Sequence, residues 1–236
     1  MTGSVDMGAL FDRVAPRYDL INRVISCGLD RSWRRALIRF LPRGLQPREI
    51  LDLCCGTGML LYMLAAAYPD AGLVGLDLAP GMLRLAGKRR ERGLGAKPRL
   101  VQGDQNALPF EDGRFDLVTN AFGLRNSTDF DRSLSEMYRV LAPDGVMAVL
   151  ELTRPSPSTA GRLFTFYFDR IVPRVAACLG GDPTAYTYLP ATVRNFFNRE
   201  DLAQWVEDRI GAKVVIKPVF GRVVTLLLAR KPSHRL

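Results

Sequence analysis

The chain has 236 residues, 47% of them apolar, and a formal net charge of +9; it is long enough for one large α/β domain or two small ones and apolar enough for a full core, which argues against disorder. Four cysteines, two of them adjacent, make no disulfide framework, and the single histidine, His234, leaves no zinc-type ligand set. With no secretory leader and no apolar run of bilayer length, a cytoplasmic protein with reduced thiols is expected, and its positive charge suits a nucleic acid, an anionic membrane face or an acidic substrate equally.

The first 40 residues read as helices carrying tyrosine, arginine and tryptophan. From residue 49 onward, short apolar runs alternate with helical patterns. "REILDLC" is a strand and "GMLLYMLAAAYP" a helix ending before Pro69; "AGLVGLDL" is a second strand, and "PGMLRLAGKRRERG" a helix with Pro80 near its start. "PRLVQGD" and "RFDLVTNAF" are the third and fourth strands, "TDFDRSLSEMYRVLAPDG" a helix and "GVMAVLEL" the fifth strand. Residues 156–198 are aromatic-rich and broken by Pro173, Gly180, Gly181 and Pro183; a helix at "REDLAQWVEDRIG" and strands at "AKVVIKPV" and "GRVVTLLLAR" follow. The alternation predicts an α/β fold, a Rossmann-like doubly wound seven-stranded sheet with N-terminal helices and a helical insertion after strand five. It is expected to form a single domain. Within it, 1–45 is a helical cap, 46–153 a cofactor-binding core, 154–198 a substrate lid, and 199–236 the final helix and strands.

Between the first strand and its helix stands "LDLCCGTGML" (51–60). Asp52 closes the strand and Gly56-Thr57-Gly58 opens the helix, where doubly wound sheets bind ligands. Glycines let the backbone approach a ligand, and the helix N-terminus offers free N–H groups. Asp77 ends the second strand about 20 residues on, the usual spacing for gripping ribose hydroxyls. A dinucleotide fingerprint needs a third glycine where this chain has Leu61, and a diphosphate is repelled by Asp52. S-adenosylmethionine carries a sulfonium and an ammonium and no phosphate, so an acid beside it is welcome. The third strand leads into "GDQNALPF", which sets Asp104 where it can accept from an adenine amino group. Each acid alone reads equally well as a turn residue; all three with the glycine loop point to S-adenosylmethionine. Cys54 and Cys55, lacking metal or disulfide partners, read as small buried walls of the loop.

Four further segments narrow the reading. "YDLINRVISCGLDRSW" (18–33), "FGLRNSTD" (122–129), "YRVLAPDGVMAVLEL" (138–152) and "DPTAYTYLPATVRNFFNREDL" (182–202) together resemble the ubiquinone/menaquinone biosynthesis C-methyltransferases, class I enzymes that use S-adenosylmethionine. The likeness runs over nearly the whole chain. It implies that Thr57 and Asp77, with Leu78 beside them, bind the cofactor. It also implies that Asp104 and Gln105 contact the adenine. Ala121, next to Phe122, stands where some members have a cofactor-contacting serine. Arg125 and Asn126 match a pair that helps activate the substrate, and Tyr18, Tyr186 and Tyr188 are candidates for the head-group pocket. The chain departs from the family at Ile21, at Asp30 in place of a histidine, at Asp144 in place of a glycine, and at Leu227, where many members carry a histidine.

The resemblance implies C-methylation of a polyprenyl quinol, most simply demethylmenaquinol to menaquinol. Such chemistry needs an electron-rich ring carbon held in line with the sulfonium methyl and removal of a hydroxyl proton from the ring. Without an imidazole in the body of the chain, Arg125 and Asn126 are expected to orient a water and stabilise the phenolate, with Asp77 or Asp19 as a proton sink. Arginine is too basic to serve as the base itself. Arg125 is also readable as a helix-end cap or a partner of Asp129. The segment "RLFTFYFDRIVPRVAACL" (162–179) joins aromatics to Arg162, Arg170 and Arg174, as a surface resting on anionic lipid does; the same aromatics are equally readable as lid core. The run "KRRERGLGAK" (88–97) has no interleaved aromatic and reads as a solvated helix face, so no nucleic-acid partner is expected. A homodimer is compatible with the sequence. Other readings are a methyltransferase of a soluble small molecule, an RNA methyltransferase suggested by charge alone, and a protein that holds S-adenosylmethionine without chemistry.

Overall fold

Ile50, Leu51 and Leu53 of β1 (Glu49–Leu53) are fully buried, as a parallel strand covered on both faces requires. The structure is a computed structural model that describes residues 6–90, 98–220 and 223–233. The other strands are β2 (Gly72–Asp77), β3 (Arg99–Gln102), β4 (Phe115–Ala121), β5 (Leu141–Leu152), β6 (Val214–Phe220) and β7 (Val224–Arg230). They form one seven-stranded sheet in the order β3-β2-β1-β4-β5-β7-β6. Strands β1 to β5 pair in parallel, and β7 runs antiparallel between β5 and β6. The predicted doubly wound α/β sheet is therefore present, with its switch point between β1 and β4. At that point successive loops leave in opposite directions and open a crevice.

Three helices precede the sheet: α1 (Met7–Val14), α2 (Tyr18–Ile25) and α3 (Asp30–Phe40). Within it lie α4 (Met59–Ala67), α5 (Pro80–Arg90) and α6 (Phe130–Val140). After β5 come α7 (Thr159–Phe166), a wide π turn over Tyr167–Ile171, α8 (Val172–Cys178) and α9 (Pro183–Asn195), and then α10 (Arg199–Ile210). Side-chain caps set several starts: Asp129 accepts from Arg132 N at 3.0 Å and Asn198 from Asp201 N at 2.8 Å. Two cores sandwich the sheet. One gathers Leu37, Leu61, Leu64 and Met82 from α3, α4 and α5; the other gathers Leu134, Met137, Leu202 and Val206 from α6 and α10.

The N-terminal helices and the helical insertion after β5 are clamped together. Tyr167 donates its hydroxyl to the Ile25 carbonyl at 2.8 Å, Arg17 reaches the Leu179 carbonyl at 2.5 Å, and Arg13 pairs with Asp182 at 2.8 Å. Phe168, Val172 and Tyr186 join Val14 and Ile21 in the first core.

The fifth strand begins at Leu141, directly after α6, four residues before the expected start at Gly145. The turn residue Asp144 has φ +61°, and its N–H bonds the Lys231 carbonyl at 2.9 Å. Aspartate tolerates this left-handed backbone better than most residues, which suits it to a position where the family resemblance implies glycine. Most of the basic run 88–97 lies outside the described residues. Among those described, no helix is long and apolar enough to cross a membrane, and no group of His, Cys, Asp and Glu is placed to hold a metal.

Candidate active site

Two cavities and a small void meet at the carboxyl ends of β1, β2 and β4. The first cavity, about 260 Å³, is lined by Asp77, Leu78, Asp104, Ala121, Phe122 and Asn126 among others, and is roofed by Met7, Phe11 and Tyr18 of the N-terminal helices. Asp77 anchors it. Its Oδ2 accepts from Gly56 N at 2.8 Å and its Oδ1 from Ala79 N at 2.9 Å. Burial raises its pKa, and the Ala79 and Gly56 donors pull it back. Asp104 is exposed, with Oδ1 accepting from Asn106 N at 2.9 Å. Gln105 touches the cavity, but its amide is occupied on the scaffold: Nε2 donates to the Gly123 carbonyl at 3.2 Å, and Oε1 accepts from Asn120 at 3.0 Å. Asn126 donates to the Phe122 carbonyl at 3.2 Å, while its buried Oδ1 has no partner.

The second cavity, about 650 Å³, is mainly apolar. Its walls include Trp33, Leu152, Leu163, Phe164, Tyr167 and Phe220, and its polar residues include Asp30, Arg34 and Arg125. Tyr18 and Phe122 line both cavities. Phe122 holds φ +64°, an uncommon backbone for an aromatic residue. Its N–H bonds the Leu150 carbonyl at 2.8 Å and its own carbonyl accepts from Arg125 Nη1 at 2.8 Å. Its ring sits 6.1 Å from that of Trp33, and the Arg34 guanidinium lies 5.2 Å from its centroid.

Arg125 pairs through Nη1 with Glu151 Oε1 at 2.5 Å, and its backbone N–H meets Glu151 Oε2 at 3.1 Å. Glu151 is wholly buried. The partner is thus Glu151 and not Asp129, which caps α6. The pairing leaves Arg125 Nε buried without a partner.

The void beside the first cavity, about 20 Å³, is lined by Tyr18, Arg34, Asp52, Thr57 and Ala121 among others. Asp52 is buried; its Oδ1 accepts from Thr119 at 2.7 Å and its Oδ2 has no partner. Burial pushes its carboxyl up to about 7, against the Thr119 hydrogen bond and the nearby Arg34 charge. Tyr18 lines all three spaces, and burial raises its phenol while Arg34 and Arg125 act in the opposite direction.

Several expected residues do other work. Thr57 donates its hydroxyl to Asp19 Oδ1 at 2.7 Å, and Arg89 ties the two together, bonding Asp19 Oδ2 at 2.5 Å and the Thr57 carbonyl at 2.9 Å. Asp19, expected as a proton sink, is therefore held in an ion pair. A Cβ at Gly58 would come within 2.9 Å of the Tyr62 ring, so this glycine serves close packing in α4. Cys54 lines the first cavity and packs on Gly123, where a Cβ would come within 2.5 Å; burial holds both adjacent thiols protonated. Tyr186 is buried near Tyr18, and Tyr188 is half-buried near the Arg125 charge; neither lines a cavity described above. Leu227 is buried in the second core, away from these cavities. Arg34 and Glu151 went unread in the sequence. Their signals were modest: a cation following Trp33, and one acid inside the apolar run "VMAVLEL".

Residues 2–226 match the model of the ubiE/COQ5 methyltransferase family. The chain belongs to that family. It is an S-adenosylmethionine-dependent methyltransferase. Similar proteins include the demethylmenaquinone methyltransferase of Thermus thermophilus, 44% identical over 79% of this chain and 84% of that one. The Bacteroides fragilis protein of the same name is 37% identical over 94% and 91%. Among solved structures, a possible histamine N-methyltransferase from Thermotoga maritima superposes with a TM-score of 0.67 at 19% identity, covering 95% of this chain and all of that one. That likeness shows the shared fold. The ubiE/COQ5 member described here suits its methyl donor. A buried acid at a strand end, an unpartnered Asn126 oxygen and the absence of any Lys or Arg from the first cavity's described lining match a cationic ligand without phosphate.

Proposed function

We propose that this methyltransferase methylates a ring carbon of a reduced prenyl quinone, demethylmenaquinol being the substrate that its relatives' names indicate. The observation that carries the reading is the second cavity, large and apolar, and joined to the first through Tyr18 and Phe122. An aromatic head group entering it meets the other cavity at those two side chains, while a prenyl tail fits walls of Leu163, Phe164 and Phe168.

In this reading Asp77, held by two backbone donors, accepts from the ribose hydroxyls. Asp104 faces the adenine edge, and the free oxygens of Asn126 and Asp52 accept from donors of the amino-acid end. Bound S-adenosylmethionine supplies a methyl group made electrophilic by its sulfonium. Phe122 and Tyr18 hold the ring against that methyl, which removes an entropic barrier. Arg125 stabilises the phenolate electrostatically. Its pairing with Glu151 tempers that charge and fixes the guanidinium in place. Residues 154–198 act as the lid, with Phe164 and Phe168 stacked 4.6 Å apart in its lining.

The mouth of the lid supports contact with a membrane. Leu163 is 69% exposed and Phe166 58%, and Arg162, Arg170 and Arg174 are exposed on the same segment. Apolar side chains with a basic fringe suit an anionic bilayer, from which a prenylated quinol must come. The test is methyl transfer from labelled S-adenosylmethionine to a short-chain demethylmenaquinol, with the product read by mass. A gain of one methyl on the ring is expected. Turnover of soluble phenols with none on the quinol would replace this reading by the small-molecule one.

A further inference from the structure

S-adenosylmethionine ends in an α-amino carboxylate, and that anion needs a cation. The first cavity has no Lys or Arg in its described lining. Its acids, Asp6, Asp77 and Asp104, repel a carboxylate, and the void next to it adds Asp52. Two cations line the neighbouring spaces: Arg34 and Arg125. Arg125 is bound to the buried Glu151. Arg34 alone also lines the void formed by Asp52, Gly56 and Thr57, which shares Tyr18, Cys54, Gly56 and Ala121 with the first cavity.

Arg34 is built to receive an anion. Its Nη1 donates to the Asp30 carbonyl at 3.0 Å and to the buried Asp30 Oδ2 at 3.5 Å, a long i,i+4 ion pair that occupies this one nitrogen. Its Nε and Nη2 have no hydrogen-bond partner among the described residues. The side chain is only 12% exposed, and its Cζ lies 5.2 Å from the centroid of the Phe122 ring, so it is held in place before any ligand arrives. Guanidinium is always charged and matches a carboxylate in a two-pronged geometry.

We propose that Arg34 binds the carboxylate of the methionine end of S-adenosylmethionine, opposite Asp52, whose unpartnered Oδ2 takes the ammonium. The zwitterion then faces a zwitterionic pair, and its charges orient the sulfonium toward the second cavity. This rests on the cofactor reading of the first cavity. It adds that helix α3, outside the sheet, supplies part of the cofactor site.

The test compares ligands that differ at this end: S-adenosylhomocysteine, which has it, and 5′-deoxy-5′-methylthioadenosine, which lacks it, each titrated by calorimetry. Arg34→Met should weaken S-adenosylhomocysteine about 30-fold, the scale of a charge-assisted hydrogen-bond pair, and leave methylthioadenosine within about twofold. Arg34→Lys should recover part of the loss. Wild-type protein should also prefer S-adenosylmethionine over its decarboxylated analogue, a comparison that needs no variant and stands if Arg34→Met fails to fold. Equal weakening of both nucleosides, no change in either, or no preference for the carboxylate-bearing ligand would overturn the assignment. Asp77→Ala weakens both nucleosides together, and wild-type protein that binds neither refutes the cofactor reading itself.

Discussion

The two cavities are made differently. The first is built from the turns at the ends of β1, β2, β3 and β4 beneath side chains of α1 and α2, and its anchoring carboxylate, Asp77, is fixed by the backbone donors Gly56 N and Ala79 N. The second is built from N-terminal helices and the insertion after β5, α2 and α3 with α7 and the π turn, and is held by apolar packing and by the Tyr167–Ile25 bond. A sheet edge positions a small polar ligand because neighbouring strands lock one another in register. The lesson is a division of labour in the proposed reading: the half built on the sheet would hold the donor, the half made of separate helices the acceptor, and Tyr18 and Phe122 line both.

The sharpest way to break this division is at Arg125, which supports both cavities. Arg125→Ala leaves Glu151 charged and buried, so a loss of about 3–5 kcal/mol in urea unfolding is expected, together with loss of methyl transfer. Arg125→Met with Glu151→Gln should restore most of the stability but not the activity. Activity returning with stability would make Arg125 purely structural. At the rigid half, Asp77→Ala strands two backbone donors and removes a ligand acceptor. A cost of about 2–3 kcal/mol in S-adenosylhomocysteine affinity is expected by calorimetry, with unchanged partition of the prenyl quinol.

Asp52 sharpens the comparison through pH. Its folded carboxyl titrates near 7, above the ordinary carboxylate value. Between about pH 4 and 7 the folded state therefore keeps a proton that the unfolded state has released, and stability falls as pH rises through that window, by up to about 1.4 kcal/mol per pH unit. Asp52→Asn should flatten that slope; an unchanged slope would mean that Asp52 titrates normally. At the apolar half, Leu163→Glu with Phe166→Glu should reduce sedimentation with anionic vesicles about a hundredfold, on the scale of about 3 kcal/mol for burying two large apolar side chains, and spare turnover of a short-chain quinol, which has no long tail to reach Leu163. The smallest effect is expected at the glycine loop, where Cys54→Ala with Cys55→Ser should leave methyl transfer within about twofold and cost about 1–2 kcal/mol of stability.

The sequence by itself determined the sheet. Its strands are short apolar runs between glycines and caps, and the period of side chains is a local property. It also pointed to where the donor is proposed to bind, because Asp77, Asp104 and the glycine loop lie at strand ends whose positions follow from that pattern. Tertiary structure alone decided what those residues touch. Thr57, read as a cofactor ligand, gives its hydroxyl to Asp19 from a helix 38 positions earlier. Gln105 holds Asn120 and Gly123. Arg125, read as a substrate-activating residue and alternatively as a partner of Asp129, has its counter-ion in Glu151, 26 positions on. Arg34 and Asp52 meet at one void because α3 packs across the sheet. Local pattern reports which face a residue turns to the core. It does not report which distant charge waits there, since a buried ion takes whatever partner folding brings within reach, and that is set by packing across the whole chain.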